Sequence, residues 1–364
     1  MNRSKRRLKV IEVAGTPHEM GLQYGSQCQE ISKLFEILRQ AAGLDHSAAL
    51  LATEKFVPCI QAYSPDIMDE IRGTAEGAGV DVRQVVFLNI WYELGLRGFA
   101  GCTSYAASGP ATRDGELIIG QNLDQMADME ERLVMLRMNP AQGPRILALT
   151  MAGMVGLIAI NSAGVTVDGN LLTHQQFTGF TPGVPHTIWL RQAQASVNIG
   201  RAFGAIAGAK RSGVAVNALL GSRQGDIVDI EVTPNDLGIL YPNRGFITHS
   251  NHFYTERFKP YDMIGTIYPD SIIRSQRLAD LMEKHWGRLS VEVMKELLQD
   301  HNNHPESICR HIDPEIPVVL QMKTTASIIS HPKEQKMYIA WGNPCENEYL
   351  EYQIIGGRAH VEGV

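Results

Sequence analysis

The residues that decide how this chain is interpreted are Gly101–Tyr105, which read Gly-Cys-Thr-Ser-Tyr. A cysteine follows a glycine here, at the boundary between a helical pattern and a series of strand patterns. One interpretation is that Cys102 is a small buried hydrophobe, as isolated cysteines usually are. The other is that Cys102 is a nucleophile released by cleavage of the Gly101–Cys102 bond, since glycine tolerates strained backbone. Cleavage would leave Cys102 with an α-amine that can act as base toward its own thiol near neutral pH.

Upstream of this stretch, residues 18–100 carry the apolar spacing of helices. Apolar residues recur every three or four positions over 34–42 and again over 67–78, as on the buried face of a helix. Ser64-Pro65 predicts a helix start, because serine caps helices and proline fits the first turn. Residues 85–91 fit either a buried helix or a buried strand.

Downstream, short strand patterns separated by turn residues dominate, and Asp-Gly and Ala-Gly turns favour antiparallel hairpins. Runs of strands kept apart from runs of helices indicate an α+β layered fold, not alternating parallel units. The predicted strands are 103–107, 116–121, 132–138, 145–151, 156–161, 165–170, 214–220, 227–232, 237–241, 324–330 and 336–341. The predicted helices are 185–195, 199–207, 274–284 and 291–300.

Composition indicates a globular protein with a small-molecule partner. Of 364 residues, 44% are hydrophobic and 20% charged, and 33 basic residues face 39 acidic ones, which argues against disorder and against nucleic-acid binding. The longest apolar run, 147–160, is too short to cross a membrane, which takes ~20 residues. An odd number of widely spaced cysteines favours a reducing, cytoplasmic location over a disulfide framework. These are Cys28, Cys59, Cys102, Cys309 and Cys345.

One cluster of metal-binding residue types is an alternative site: His301, His304, Cys309 and His311. Its spacing is not a common zinc pattern, and the asparagines and the proline within it indicate a loop. We therefore predict no metal and no tightly bound cofactor.

Eight short blocks of the chain, in order, carry a resemblance to a known family. They are Gly15–Gly25, Glu70–Asp81, Gly101–Tyr105, Gly120–Asp124, Ile160–Val167, Pro182–Arg191, His249–His252 and Ser307–Arg310. On these blocks the chain resembles the peptidase C45 family of N-terminal nucleophile hydrolases, which includes acyl-coenzyme A:6-aminopenicillanic acid acyltransferases. The resemblance implies a four-layer αββα sandwich, in which two antiparallel sheets lie between helices.

The resemblance also implies roles for single residues. Gly101–Cys102 matches the family's autocleavage bond, which makes Cys102 the catalytic nucleophile. Asp124 falls on the supporting acid and Asn251 on the asparagine whose amide donates to the oxyanion. Arg310 matches an arginine near the aspartate, where it could pair with Asp124 in a bidentate manner.

The residues around the nucleophile are also candidates for the site. Strand alternation puts Ser104 on the same face as Cys102, so Ser104, with Thr103 and Tyr105, is a candidate for the oxyanion hole or the pocket. Glu93 fits a core-edge carboxylate as well as a participant in cleavage.

Together these inferences predict an autoprocessing cysteine amidohydrolase or acyltransferase that works through an acyl-Cys102 intermediate on a small amide or thioester. Cleavage would divide one structural domain into chains 1–101 and 102–364, an αβ heterodimer whose further oligomerisation stays open. A coenzyme A thioester is the candidate acyl donor for transfer to an amine. The rival hypothesis is an unprocessed, non-catalytic binding protein with the same fold.

Overall fold

The computed structural model describes residues 3–95, 100–177, 181–267, 269–318 and 321–355. Residues 3–95 contain one strand followed by six helices. These are β1 (Val10–Gly15), α1 (Pro17–Gln27), α2 (Ile31–Ala41), α3 (His46–Thr53), α4 (Val57–Tyr63), α5 (Pro65–Ala78) and α6 (Val82–Asn89). Ser64 caps α5 by accepting from the Ile67 backbone N–H, as predicted, and residues 85–91 are resolved as mostly helix.

The remainder of the chain supplies thirteen strands and five helices among the described residues. The strands are β2 (Ala100–Ala107), β3 (Ile118–Met126), β4 (Leu133–Pro140), β5 (Ile146–Met151), β6 (Ile158–Asn161), β7 (Val165–Leu172), β8 (Ala215–Ser222), β9 (Ile227–Val232), β10 (Leu237–Leu240), β11 (Phe246–His249), β12 (Met322–His331), β13 (Lys336–Trp341) and β14 (Leu350–Gln353). The helices are α7 (His186–Gln194), α8 (Ile199–Gly208), α9 (Ile264–Ile267), α10 (Ser271–Lys284) and α11 (Val291–Leu297). No helix of the described residues is both long and apolar enough to cross a membrane.

The strands build two sheets that stack on each other. One has eight strands in the order β1-β4-β5-β6-β7-β8-β9-β10, and the other has six in the order β11-β2-β3-β12-β13-β14. Strand β7 of the first sheet contacts β2 and β3 of the second. Helices α7 and α8 cover the outer face of the eight-stranded sheet, and α10 and α11 cover that of the six-stranded sheet. The four-layer α+β arrangement is therefore confirmed.

The first strand corrects the expectation of purely antiparallel sheets, and it precedes the stretch 18–100 that the sequence predicts to be mostly helical. Strand β1 pairs with β4 in parallel, with Val10 opposite Met135. Its alternate residues Ile11 and Val13 are buried while Glu12 between them is exposed, which is the period of a half-buried strand. The six helices between β1 and β4 give the chain the length to return in the same direction, so the pair is parallel.

Helices α1 and α5 pack unusually closely, and glycines make this contact. A Cβ on Gly25 would lie 2.1 Å from the Thr74 carbonyl oxygen, and one on Gly73 would lie 2.2 Å from the His18 carbonyl oxygen. Backbone cannot give way to such overlaps, so both helix faces need residues without side chains. This contact ties together the helices that precede the Gly101–Cys102 bond.

Candidate active site

Strand pairing sets the position of Cys102 in the intact chain. In β2 and β3, Gly101 lies opposite Asp124 and Cys102 opposite Leu123, while β11 places His249 opposite Ser104. The Gly101–Cys102 bond is thus part of a regular strand, next to residues that are distant in sequence. Cys102 is 3% exposed, so its thiol faces the space between the two sheets and not solvent.

The thiol of Cys102 borders a small cavity between the sheets. The amide of Gln121 lies 3.6 Å from Sγ, and its own oxygen accepts from the Gly169 N–H at 3.3 Å. The cavity measures about 30 Å³, which is room for roughly one water molecule. Its walls are mostly apolar and include Trp91, Leu123, Leu171, His186, Leu190 and Val216. The intact chain therefore has little room for an acyl substrate beside the sulfur.

Asn251 lies against the nucleophile, but its amide is oriented differently from the expectation. Its Oδ1 accepts from the backbone N–H of Cys102 at 2.9 Å, which is the N–H of the Gly101–Cys102 bond. Its Nδ2 donates to the Leu171 carbonyl at 2.9 Å. In the intact chain Asn251 thus fixes the bond on its amine side, and one N–H of its amide is already engaged elsewhere.

Asp124 and Arg310 are close together, although the predicted bidentate pair is wrong. Asp124 is fully buried and accepts from Thr324 Oγ1 at 2.7 Å, while Arg310 Nε stays 3.7 Å from its carboxylate. The outer nitrogen of Arg310 instead donates to Asp270. A second carboxylate at the start of α10 therefore competes for this guanidinium, and no sequence block pointed to it.

Asp270 is held between two arginines, Arg310 and Arg274. Arg274 Nε donates to its carboxylate at 2.5 Å. Burial alone would raise the pKa of Asp270, but the two positive charges lower that pKa to about 2. Asp270 therefore stays ionised at neutral pH and anchors both guanidinium groups beside Asp124.

Arg274 is the main site residue that sequence reasoning missed. It is 1% exposed, and its Nη1 donates to the Cys102 carbonyl at 2.6 Å and to Thr103 Oγ1 at 2.7 Å, while Nη2 donates to Asn251 Oδ1 at 3.0 Å. Ser250 Oγ donates to the same Cys102 carbonyl at 2.6 Å. The available signal was the four-residue spacing of Asp270 and Arg274, but such pairs are common on solvent-facing helices.

The electrostatic surroundings keep the Cys102 thiol protonated in the intact chain. Burial raises its pKa most strongly and the charge of Asp124 adds to this, while Arg274 opposes both. Burial also raises the pKa of Asp124 against the lowering by Arg274 and Arg310. A thiolate at Cys102 therefore needs a base, and none of the described residues of the intact chain hydrogen-bonds the sulfur as a base.

The residues after Cys102 alternate between two environments, as predicted. Ser104 faces the space between the sheets, where Asn170 donates to its Oγ at 2.8 Å. Thr103 accepts from Arg274 on the opposite face. Tyr105 lies on that face too, in an apolar cluster with Leu278 and Leu297 beneath α10 and α11. Of the three, Ser104 is the one on the side of the thiol.

Glu93 is fully enclosed and holds one wall of the cavity. It accepts from the His186 backbone N–H at 2.9 Å and from Ser212 Oγ at 2.9 Å, and it lies 3.1 Å from His186 Nδ1. Burial would raise its pKa, but His186 lowers it overall. These contacts fit the core-carboxylate interpretation, with Glu93 orienting His186 where it borders the cavity.

Asp168 is a second buried carboxylate near the thiol, and sequence analysis did not single it out. Among the described residues neither of its oxygens has a hydrogen-bond partner. Burial raises its pKa to about 8, and its charge would in turn raise the pKa values of Cys102 and Tyr105. Asp168 is therefore held mainly as the neutral acid at pH 7.

Replacing Asp168 changes how stability depends on pH. The pKa of Asp168 in the folded chain is about 8, against 3.8 for an ordinary aspartate. The contribution of this carboxyl to the unfolding free energy is therefore fully present below about pH 4 and is lost as pH rises to about 8. We expect Asp168→Asn, in a Cys102→Ala background, to match its parent near pH 4 and to gain ~2–4 kcal/mol in unfolding free energy at pH 8. Urea titrations across this range measure it, with the exposed Asp128→Asn as control. An equal offset at both pH values would contradict the expectation.

Comparison with known proteins places this geometry in a family. The family model "Acyl-coenzyme A:6-aminopenicillanic acid acyl-transferase" matches residues 111–346. The chain belongs to this acyl-transferase family. It is accordingly an enzyme of acyl and amide chemistry, as the resemblance implied. A relative from Emericella nidulans, the 40 kDa form of acyl-coenzyme A:6-aminopenicillanic-acid-acyltransferase, is 29% identical over 314 residues, which cover 82% of this chain and 84% of the relative.

Two solved structures with a similar fold are a bile acid hydrolase and a penicillin acylase. A variant of conjugated bile acid hydrolase from Clostridium perfringens gives a TM-score of 0.48 at 12% identity, covering 72% of this chain and 100% of its own. Penicillin V acylase from Agrobacterium tumefaciens gives 0.45 at 11% identity, covering 66% and 83%. Both scores are low, so the layer order described above rests on the contacts within this chain.

Proposed function

We propose that this acyl-transferase family member is an autoprocessing cysteine amidohydrolase that forms an acyl-Cys102 intermediate. The observation that carries the proposal is the set of hydrogen bonds made by the backbone N–H and C=O of Cys102. Asn251 accepts from its N–H, while Arg274 and Ser250 donate to its carbonyl. Every buried backbone N–H and C=O needs a partner, but here the partners are the side chains of Asn251, Ser250 and Arg274 and not a neighbouring strand.

Self-cleavage would proceed in two steps. The Cys102 thiol attacks the Gly101 carbonyl carbon, the C–N bond breaks, and the proton of the thiol passes to the new α-amine. Gly101 is then joined to Sγ as a thioester, which water hydrolyses to a Gly101 carboxylate and a free thiol. Asn251 suits this sequence because its Oδ1 already accepts from the nitrogen that becomes the amine.

Cleavage supplies a base for the Cys102 thiol that the described residues of the intact chain do not provide. Burial and Asp124 raise the pKa of the Cys102 thiol, and the liberated α-amine can take its proton. The thiolate then attacks the carbonyl carbon of a substrate amide or thioester and forms a tetrahedral oxyanion. The second N–H of the Asn251 amide and backbone N–H groups nearby are the proposed donors to that oxyanion, each worth ~3–4 kcal/mol. Asp124, Arg310 and Arg274 would position these groups.

The two products of cleavage would stay together as a heterodimer. Apolar residues of the first segment, such as Leu34, Ile60 and Leu88, share one core cluster with Leu149 and Ile188 of the second. Separating the chains would expose this cluster to water. The αβ pair therefore behaves as one folded unit, and its five free thiols suit a reducing compartment.

Hydrolysis is the proposed outcome because water is always present as an acceptor. Acyl transfer to an amine is the second candidate, since the family model and the Emericella nidulans relative both carry acyl-coenzyme A and 6-aminopenicillanic acid in their names. No resident cofactor is part of either route. A coenzyme A thioester would enter only as acyl donor.

Intact-mass analysis of the processed protein tests this function. We expect at least one donor from a panel of N-acyl amino acids, N-acyl peptides, penicillins and acyl-coenzyme A thioesters to add its acyl mass to the 102–364 chain, on Cys102. Adding an amine such as 6-aminopenicillanic acid distinguishes transfer from hydrolysis by the product formed. The control is Cys59→Ala, which leaves the site untouched. Acylation mapped to another residue would contradict the assignment of the nucleophile.

A further inference from the structure

We propose that His301, Cys309, His311 and Cys345 form a zinc site. Their four donor atoms lie within 4.8 Å of one another. Three of these residues, His301, Cys309 and His311, belong to a sequence cluster whose spacing is not a common zinc pattern. The fold adds Cys345, from the turn after β13, as the fourth donor. Two thiolates and two imidazoles are the donor set of a closed, tetrahedral structural zinc site.

The separations between donors fit one ion at the centre. Cys309 Sγ and Cys345 Sγ are 3.6 Å apart, and His311 Nε2 lies 3.7 Å and 3.4 Å from them. His301 Nε2 lies 3.1 Å from His311 Nε2. With Zn–S bonds of about 2.3 Å and Zn–N bonds of about 2.0–2.1 Å, neighbouring donors of a tetrahedral site lie about 3.3–3.8 Å apart. The cluster needs only small shifts to close on the metal.

Neighbouring polar groups already hold the ligands in place. Asn343 Nδ2 donates to the Arg310 carbonyl at 2.7 Å and approaches Cys309 Sγ at 3.5 Å. Ser307 Oγ donates to the Cys309 carbonyl at 2.6 Å. Partners of this kind orient the ligands of metal sites. They also distinguish the cluster from cysteines and histidines that meet by chance on a surface.

A disulfide between Cys309 and Cys345 is the competing chemistry. It needs the two sulfurs at about 2.05 Å, against 3.6 Å here. A disulfide would also not account for the ring nitrogens of His301 and His311, which lie close to the two sulfurs. Among divalent cations, mixed sulfur and nitrogen donors favour zinc over magnesium or calcium.

The site would stabilise the loop that carries Arg310, which lies between the ligands Cys309 and His311. The Arg310 N–H donates to Thr324 Oγ1 at 2.9 Å, and its side chain contacts Asp270 and lies close to Asp124. Zinc would thus act on the active site through Arg310 as a positioning residue. This consequence rests on the proposed function, whereas zinc binding itself does not.

Metal analysis of the full-length Cys102→Ala protein tests the proposal without any need for activity. We expect about one zinc per chain by inductively coupled plasma mass spectrometry after expression with added zinc. Cobalt exchanged into the site should give the intense visible bands of a tetrahedral ion and a thiolate charge-transfer band. Cys345→Ser and His301→Ala should each lower bound zinc at least tenfold. The matched controls His304→Ala and Cys59→Ser should keep it.

Four results would overturn the proposal. The first is a wild-type chain that takes up no zinc on dialysis against it. The second is an intact mass lower by two hydrogens, which marks a disulfide. The third is full zinc content in the His301→Ala protein. His301 is exposed, so this substitution should not disturb the fold, and a loss of zinc would mean the loss of a ligand. The fourth is zinc lost equally from the His304→Ala control.

Discussion

Purified wild-type protein is expected to separate into two chains on a denaturing gel, 1–101 and 102–364, whereas Cys102→Ala remains one chain of full length. The reason is chemical, because alanine has no group that can attack the Gly101 carbonyl. Every later step also requires the sulfur, so the variant should be inactive on amides and thioesters. We expect losses at the limit of detection in both assays.

The Cys102→Ala variant should fold, which makes the comparison interpretable. The substitution removes one sulfur atom next to a cavity of about 30 Å³, which is a small change in packing. The contacts of residue 102 with Asn251, Ser250 and Arg274 are made by its backbone and do not involve the side chain. Cys28→Ala is the matched control, since Cys28 is also buried and free but belongs to the first segment. It should be processed as fast as wild type.

Two results would count against self-cleavage at this bond. Processing of Cys102→Ala at the wild-type rate would show that another group, or a contaminating protease, cuts the chain. A wild-type protein that stays intact through long incubation would favour the non-catalytic binding protein. Edman sequencing of the larger chain should begin with Cys102, which identifies the bond directly.

Features that depend on residues close in sequence could be predicted, whereas features that depend on distant residues could not. Hairpins between neighbouring segments and the cap at Ser64 depend on local residues, and these predictions are confirmed. Strand β1 was missed because its partner β4 lies more than a hundred residues away, and a six-residue alternation is a weak signal alone. The same holds for Cys345, which reaches His301 and His311 only through the fold.

In the candidate site too, single residues could be predicted from motifs, whereas the contacts among them could not. Short motifs led to Cys102, Asp124, Asn251 and Arg310, and the structure brings these four together. The predicted Arg310–Asp124 pair was wrong in detail because Asp270 competes for the arginine. Buried charges interact with every charge within several ångströms, so a pair inferred from two motifs lacks the third partner that determines its geometry.

Arg274→Lys is expected to slow processing about a hundredfold while the protein still unfolds cooperatively. Arg274 joins the Cys102 carbonyl to Asn251 Oδ1 through two nitrogens of one planar group. Lysine keeps the positive charge beside Asp270 and Asp124 but lacks the planar fork, so its one nitrogen cannot reach both oxygens with the geometry that two guanidinium nitrogens provide. A displacement of about 1 Å at the reacting atoms can cost 10²-fold in rate.

The control for this variant is Arg277→Lys, one turn along the same helix. Arg277 pairs with Asp300 at 2.6 Å and is partly exposed, so its replacement tests charge and helix effects without touching Cys102. Purified protein is followed on gels over time, and thermal unfolding of the uncleaved fraction is measured in parallel. If Arg274→Lys is processed as fast as Arg277→Lys, Arg274 stabilises the fold and does not position the scissile bond. If both variants are processed more slowly and lose the same stability, the slower cleavage results from a less stable fold. A positioning role requires that Arg274→Lys lowers the cleavage rate without a matching loss of stability.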